Sequence, residues 1–171
     1  PGQEVLERTS VVWRPDCVEA RFRLGLPAQG RRILGREAAT LLLDDVPAIV
    51  NRSLYFADLN EARLRQHLES MEDQQAARAA LAPLNLVAFV TDGALLPRRS
   101  GIDPRPMAGE VVPFLSPPSL AVELELPHAG RVRGMGIPTG VTLIVGGGYH
   151  GKSTLLQALE LGVWNQLPGD G

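Results

Sequence analysis

The chain has 171 residues, 17 Lys and Arg against 19 Asp and Glu, a formal charge of −2, and 44% hydrophobic residues. This is the composition of a soluble globular protein, which excludes wholesale disorder, and a charge so near zero gives no global pull toward nucleic acid or an anionic membrane. No apolar run approaches the ~20 residues of a membrane span, and a single cysteine, Cys17, excludes an internal disulfide and suits a cytoplasmic protein.

Residues 4–13 are weakly strand-like. Between Val18 and Leu26 the pattern alternates, with Val18, Ala20, Phe22, Leu24 and Leu26 on one face and Glu19, Arg21 and Arg23 on the other. That spacing predicts a half-buried antiparallel strand, with Cys17 as a half-buried thiol at its start. From Gly35 the period becomes helical through Ala38, Ala39, Leu41, Leu42 and Val46. Pro47 is expected to kink this helix, or to start a second one capped by Asp44 or Asp45. Asn60 is the expected cap of a longer helix, with Leu64, Leu68 and Met71 inward, Glu69, Glu72 and Asp73 outward, and Pro83 closing it. His67, a lone histidine, reads as a surface or packing residue.

Leu86–Val90 is a short, fully apolar run, expected as a buried strand. From Thr91 to Ser119 six prolines and three glycines predict an irregular connection. Within it, Arg98, Arg99 and Arg105 are candidates for a contact to nucleotide phosphate or nucleic acid, against the plainer reading of a solvated or locally salt-bridged loop. Leu120–Leu126 alternates as a strand with Glu123 and Glu125 on its wet face, and a second short strand follows over 131–136.

The chemistry-bearing stretch comes next. Val141-Thr142-Leu143-Ile144-Val145 predicts a strand, and Gly146-Gly147-Gly148-Tyr149-His150-Gly151-Lys152-Ser153 fits G-x-x-x-x-G-K-[ST], the phosphate-binding loop. Thr154 follows, then Leu155, Leu156 and Leu159 on one face of a helix. Glycines let backbone N–H groups wrap a polyphosphate, and the positive end of the next helix points at the anion. Lys152 would reach the β- and γ-phosphates as the catalytic cation, with the Ser153 hydroxyl on Mg²⁺. The plain alternative is a glycine-rich turn between a strand and a helix. Against it, Lys152 is the only lysine, every other basic side chain being arginine. An arginine-biased chain keeps a compact point charge where a planar fork fits badly.

The stretch from Ile137 through the loop to Leu156 resembles the ATPases of the ABC class that lack membrane spans. So do Phe89–Gly101, the tail Leu167-Pro-Gly-Asp-Gly171, Pro1–Thr9 and the Gly35–Leu54 region, so the resemblance covers essentially the whole chain. It implies an α/β fold: an α+β part over 1–96, a Pro/Gly-rich connection over 97–119, and the start of a P-loop ATPase domain with antiparallel lead-in strands over 120–171. It also implies ATP and Mg²⁺ as ligands, phosphate contacts from Gly146, Gly147, Gly148, Tyr149, His150, Gly151 and Lys152, Ser153 on magnesium, Thr154 near the α-phosphate, and dimerisation through the ATPase domain. The acidic metal site and signature motif of that class are expected beyond Gly171, making the chain a fragment whose loop serves hydrolysis in the longer protein and which is inactive alone. Two other functions remain open at this point: a P-loop kinase, and a nucleic-acid-binding or scaffold protein with a nucleotide-dependent switch.

Overall fold

The computed structural model describes residues 2–170, as a mixed α/β arrangement. They divide into two compact units: Glu7–Leu64, and the residues before Glu7 joined with those from Arg65 onward. After β1 (Glu4–Val5), which belongs to the second unit, the first unit runs β2 (Val11–Trp13), β3 (Val18–Ala20), β4 (Ala28–Gln29), β5 (Arg32–Ile33), α1 (Gly35–Thr40) and α2 (Val46–Leu54). Strand β2 pairs antiparallel with β3, and β4 with β5.

Three expectations change here. The alternating stretch 18–26 pairs only over Val18–Ala20, yet its apolar parity survives. Ala20, Phe22 and Leu24 line an apolar groove of about 200 Å³ with Val46, Ile49 and Leu54 of α2. The period-2 pattern therefore records one side turned toward a helix, with Phe22 and Ile49 still exposed, and not a long ladder. Cys17 is exposed. Pro47 lies in the first turn of a second helix, α2, as one of the two expectations had it. A wide turn of π geometry over Leu41–Asp45 joins α1 to α2 with every cap residue in helical geometry, and Asp45 makes no side-chain cap. Proline lacks an N–H and its ring crowds the carbonyl four residues back, so a locally widened turn accommodates it.

The second unit is built on a three-stranded antiparallel sheet in the order β6 (Leu86–Thr91), β10 (Gly130–Pro138), β9 (Ala121–Leu126). Before it runs α3 (Glu61–Leu81). Its start is the predicted one: the Asn60 Oδ1 accepts the Arg63 N–H at 2.9 Å, satisfying a free helix donor. Leu68, expected inside, is exposed. Glu72 and Asp73, expected in solvent, instead grip the β9–β10 turn. Asp73 accepts the backbone N–H groups of His128 and Ala129 at 2.8 and 2.9 Å, and Glu72 meets His128 Nε2 at 2.5 Å.

Between β6 and β9 the expected irregular connection holds a small hairpin, β7 (Arg98–Ser100) with β8 (Asp103–Pro106). Pro104 and Pro106 are tolerated because a two-stranded hairpin leaves half its backbone donors outside the ladder. After β10 come α4 (Lys152–Leu161) and β11 (Asn165–Gln166), which pairs with β1. The tail is further tied to α3, where Gln74 exchanges two hydrogen bonds with the Gln166 backbone.

The core is small: Val90, Met135 and Ile137 are buried, with Ala88, Leu96, Phe114, Leu155 and Leu159 packed against them. Gly134 and Gly136 let β10 pass closely beneath its neighbours. A Cβ at Gly134 would lie 2.3 Å from the Val90 carbonyl oxygen and 2.6 Å from the Phe89 ring. Backbone cannot step aside as a flexible side chain can, so Gly134→Ala should cost about 1–3 kcal/mol by denaturant titration.

The hydrogen bond that His128 donates to Glu72 holds the His128 pKa above its ordinary value, desolvation opposes it, and the Glu72, Asp73 and Glu69 charges reinforce the rise. A folded pKa above the unfolded one means the contact stabilises fully below about pH 6.5 and fades as pH rises through the folded value. Glu72→Gln should return the His128 titration, followed by NMR, toward its ordinary value and flatten that part of the pH–stability curve.

Candidate phosphate site

The sheet and its core set where the loop lies. Leu155 and Leu159 rest on Val90, Met135 and Ile137, so one face of α4 is fixed. The helix N-terminus follows from that. Gly151 precedes Lys152 at φ 74°, and Leu155 N–H bonds the Gly151 carbonyl at 2.9 Å, closing the first turn. At the other end of the loop Gly146 takes φ 154°. Both values suit a residue without Cβ. Tyr149, at φ 61°, is a bulky residue in left-handed geometry, and its ring stands fully in solvent. Left-handed and right-handed residues in succession turn consecutive N–H groups to one concave side. The strain at Tyr149, of order 1–3 kcal/mol, marks a loop held in a special shape.

Lys152 bends back over this loop, and its ammonium donates to the Gly147 carbonyl. The His150 ring covers the same glycine: a Cβ at Gly147 would lie 3.2 Å from His150 Cε1. Lys152 and Thr154 are half-buried and Ser153 is exposed. The loop residues Gly146–Thr154 are thus gathered around one helix end, with the lysine charge at the loop's own backbone.

The expected strand Val141–Val145 does not form. It carries no ladder pairing, and Val141, Leu143 and Val145 are largely exposed. Apolar, β-branched composition favours a strand only where a neighbour supplies the ladder, and none of the described residues does so.

Arg98, Arg99 and Arg105 lie on the β7–β8 hairpin, each with an acceptor, local for Arg99 and Arg105 and distant in sequence for Arg98. Arg98 Nη1 donates to the Asp170 carboxylate at 2.9 Å and to the Asp170 carbonyl at 2.7 Å, with side chains 18% and 8% exposed. Burial pushes the Asp170 carboxyl up, against the pull of Arg98. Arg105 forks onto Asp103 and holds its pKa down to about 2, while Arg99 Nε donates to the Pro106 carbonyl. Glu123 and Glu125 are wet, as their parity predicts, and both face Arg131 at 3.8 Å.

A second assembly had no signal in the sequence. The Asp92 carboxylate accepts the Ser116 N–H at 2.6 Å, the Ser116 hydroxyl at 3.0 Å and Arg133 Nη1 at 2.6 Å. Burial pushes Asp92 up, but Ser116 and Arg133 together hold its pKa below the ordinary value. Gly93 N–H bonds the Phe114 carbonyl and Phe114 N–H bonds the Ala94 carbonyl, so the segments after β6 and before β9 are stitched together. Beside α4 they wall a pocket of about 260 Å³ with Leu96, Pro97, Val112 and Phe114, and His150 and Thr154 complete it. These partners are some 20 to 40 residues apart, beyond any local pattern.

Truncating Asp170 to Ala leaves the Arg98 guanidinium half-buried without its carboxylate, a loss of about 1–3 kcal/mol. A double-mutant cycle with Arg98→Ala should return a coupling of about 1 kcal/mol or more by denaturant titration.

The pattern of the ABC-class ATPase P-loop domain matches residues 60–171, and that of the N-terminal region of ABC-class ATPases matches residues 1–57. The chain is also similar to an uncharacterized protein of Methanocaldococcus jannaschii, 35% identical over 107 residues, which is 58% of this chain and 24% of that protein. It thus spans about a quarter of the length of the curated relative it matches. With the phosphate-loop sequence at the head of α4 and a P-loop domain match over well more than half its length, the chain belongs to the ABC-class ATPases.

Proposed function

We propose that the Gly146–Thr154 loop binds the triphosphate of Mg·ATP and serves its hydrolysis in the whole protein, in the cytoplasm and across a dimer of ATPase domains. The observation that carries this reading is the Lys152 ammonium resting on the Gly147 carbonyl. It places the only lysine of the chain inside the loop, on a weak neutral acceptor. A phosphate oxygen, being charged, is the stronger partner, and charge-assisted bonds are about twice as strong as neutral ones. Lys152 would exchange the carbonyl for β- and γ-phosphate oxygens, and the backbone N–H groups of Gly146–Lys152 would take the rest. As charge develops on the transferred phosphoryl group, a fixed ammonium stabilises it more than it does the ground state.

The residues also fit magnesium. The Ser153 hydroxyl is exposed in the first turn of α4, and no group of three or more His, Cys, Asp or Glu poised for a metal exists among the described residues. One protein hydroxyl with phosphate and water oxygens suits an ion that keeps most of its water. Bound there, magnesium would neutralise phosphate charge.

Binding and turnover of Mg·ATP by the intact protein test the assignment. Lys152→Ala should weaken nucleotide binding by about tenfold or more, the worth of one or two charge-assisted bonds, and should abolish hydrolysis. Unchanged affinity in that variant would sink the phosphate role.

A further inference from the structure

Helix α4 carries the phosphate loop at one end and is held at the other by residues far along the chain. The last carbonyls of a helix have no partner within it. Here the Gln166 side-chain amide donates to the Leu161 carbonyl at 3.0 Å, and Arg78 of α3 donates to the Gly162 carbonyl at 3.4 Å and to Asn165 Oδ1. Gln74, about one turn before Arg78, closes the clamp. Its amide donates to the Gln166 carbonyl at 3.0 Å, and its oxygen accepts the Gln166 N–H at 2.7 Å. No basic residue stands in the last turn of α4 itself, so the cation that suits the negative end of a helix comes from Arg78, 84 residues before Gly162.

The two holds on α4 differ in kind. Leu155 and Leu159 form one stripe, and apolar packing is non-directional, so it presses the helix onto the sheet yet lets it slide along its axis or roll. Hydrogen bonds demand particular distances and angles, and those at the C-terminal end fix both freedoms. The clamp is also referenced to the sheet, since Asp73 of α3 accepts the His128 and Ala129 N–H groups of the β9–β10 turn, and Ser70 Oγ accepts the Gln74 amide at 3.0 Å. A helix of 10 residues is a rigid rod about 15 Å long, so a shift at Gly162 reappears at Gly151 and Lys152. Resting on the phosphate reading above, we propose that Arg78, with Gln74, is a positioning residue for the phosphate loop, acting through the C-terminal end of α4. A guanidinium suits the task because two of its nitrogens hold two acceptors, one on the helix end and one past it, where an ammonium holds a single point.

Calorimetry with Mg·ATP, steady-state turnover and amide hydrogen exchange over residues 146–154, all on the intact protein, test the assignment. Arg78→Ala should weaken Mg·ATP by about fivefold and lower kcat further, by up to about a hundredfold, because reaction needs closer alignment than binding does. Its loop amides should exchange faster while those of β6 and β10 keep their protection. Gln74→Ala should act in the same direction. Arg78→Lys keeps the charge without the fork and should recover only part of the loss; full recovery would reduce Arg78 to a partner of the helix dipole and overturn the positional role. Asn60→Ala weakens α3 at its other end, away from the clamp, and should leave affinity and kcat at their original values. Unchanged affinity, kcat and loop exchange in both Arg78→Ala and Gln74→Ala, or an equal loss in Asn60→Ala, would overturn the proposal and leave the phosphate loop standing. If the unsubstituted protein binds no Mg·ATP, the phosphate reading falls, and loop exchange in Arg78→Ala alone decides whether the clamp holds the loop.

Discussion

Everything at the candidate site depends on the packing of one helix face. Leu155 and Leu159 press on Val90, Met135 and Ile137, where helix and strand share a core. Loop geometry is downstream of that contact. A glycine-rich loop without an anchored helix would sample many shapes, and the concave row of N–H groups would exist only transiently. With the helix pinned, the strained Tyr149 and the left-handed Gly151 are held in register with it. The small core therefore stabilises and orients at once.

Charge is deployed in two styles around this anchor. The arginines are spent on fixed partners: Arg98 on Asp170, Arg105 on Asp103, Arg133 on Asp92. Planar forks suit such static recognition, and they tie hairpin, tail and connection to the sheet. Lys152 is deployed differently, on a neutral carbonyl that gives it up readily. A chain that places these arginines on fixed partners thus has its single ammonium at a contact that can change.

Local chemistry was legible in the sequence wherever a residue's role is settled within a few positions of itself. The Asn60 cap, the alternation of Leu120–Leu126, the apolar run of β6 and the order of loop and helix α4 all follow from spacing alone. Other features are decided by partners far along the chain. Glu72 and Asp73 have the spacing of a solvated helix face, yet they bind a turn some 55 residues away. Nothing local distinguishes them from Glu69. Proline content likewise overstated the irregularity of 91–119, because the β7–β8 hairpin is invisible until the two strands are paired. At the site the loop residues were readable, whereas the pocket walls were not, since Leu96 and Val112 become neighbours only through the Asp92–Ser116 clasp.

Val141–Val145 shows the same limit from the other side. Its composition is that of a strand buried on both faces, yet it forms no strand and is exposed. Intrinsic preference and realised structure part here because a strand, unlike a helix, cannot satisfy its own backbone. The ladder groups of these five residues need neighbours on both edges, and the sheet that supplies β10 turns away at Pro138, where its register already shifts against β6. The loop is therefore anchored from its C-terminal side, through α4, and not from the strand that leads into it. That asymmetry has a consequence for the phosphate grip. Groups near Lys152 and Thr154 are fixed by the core, whereas Gly146 and Gly147 owe their position to the Lys152 and His150 side chains that fold back over them.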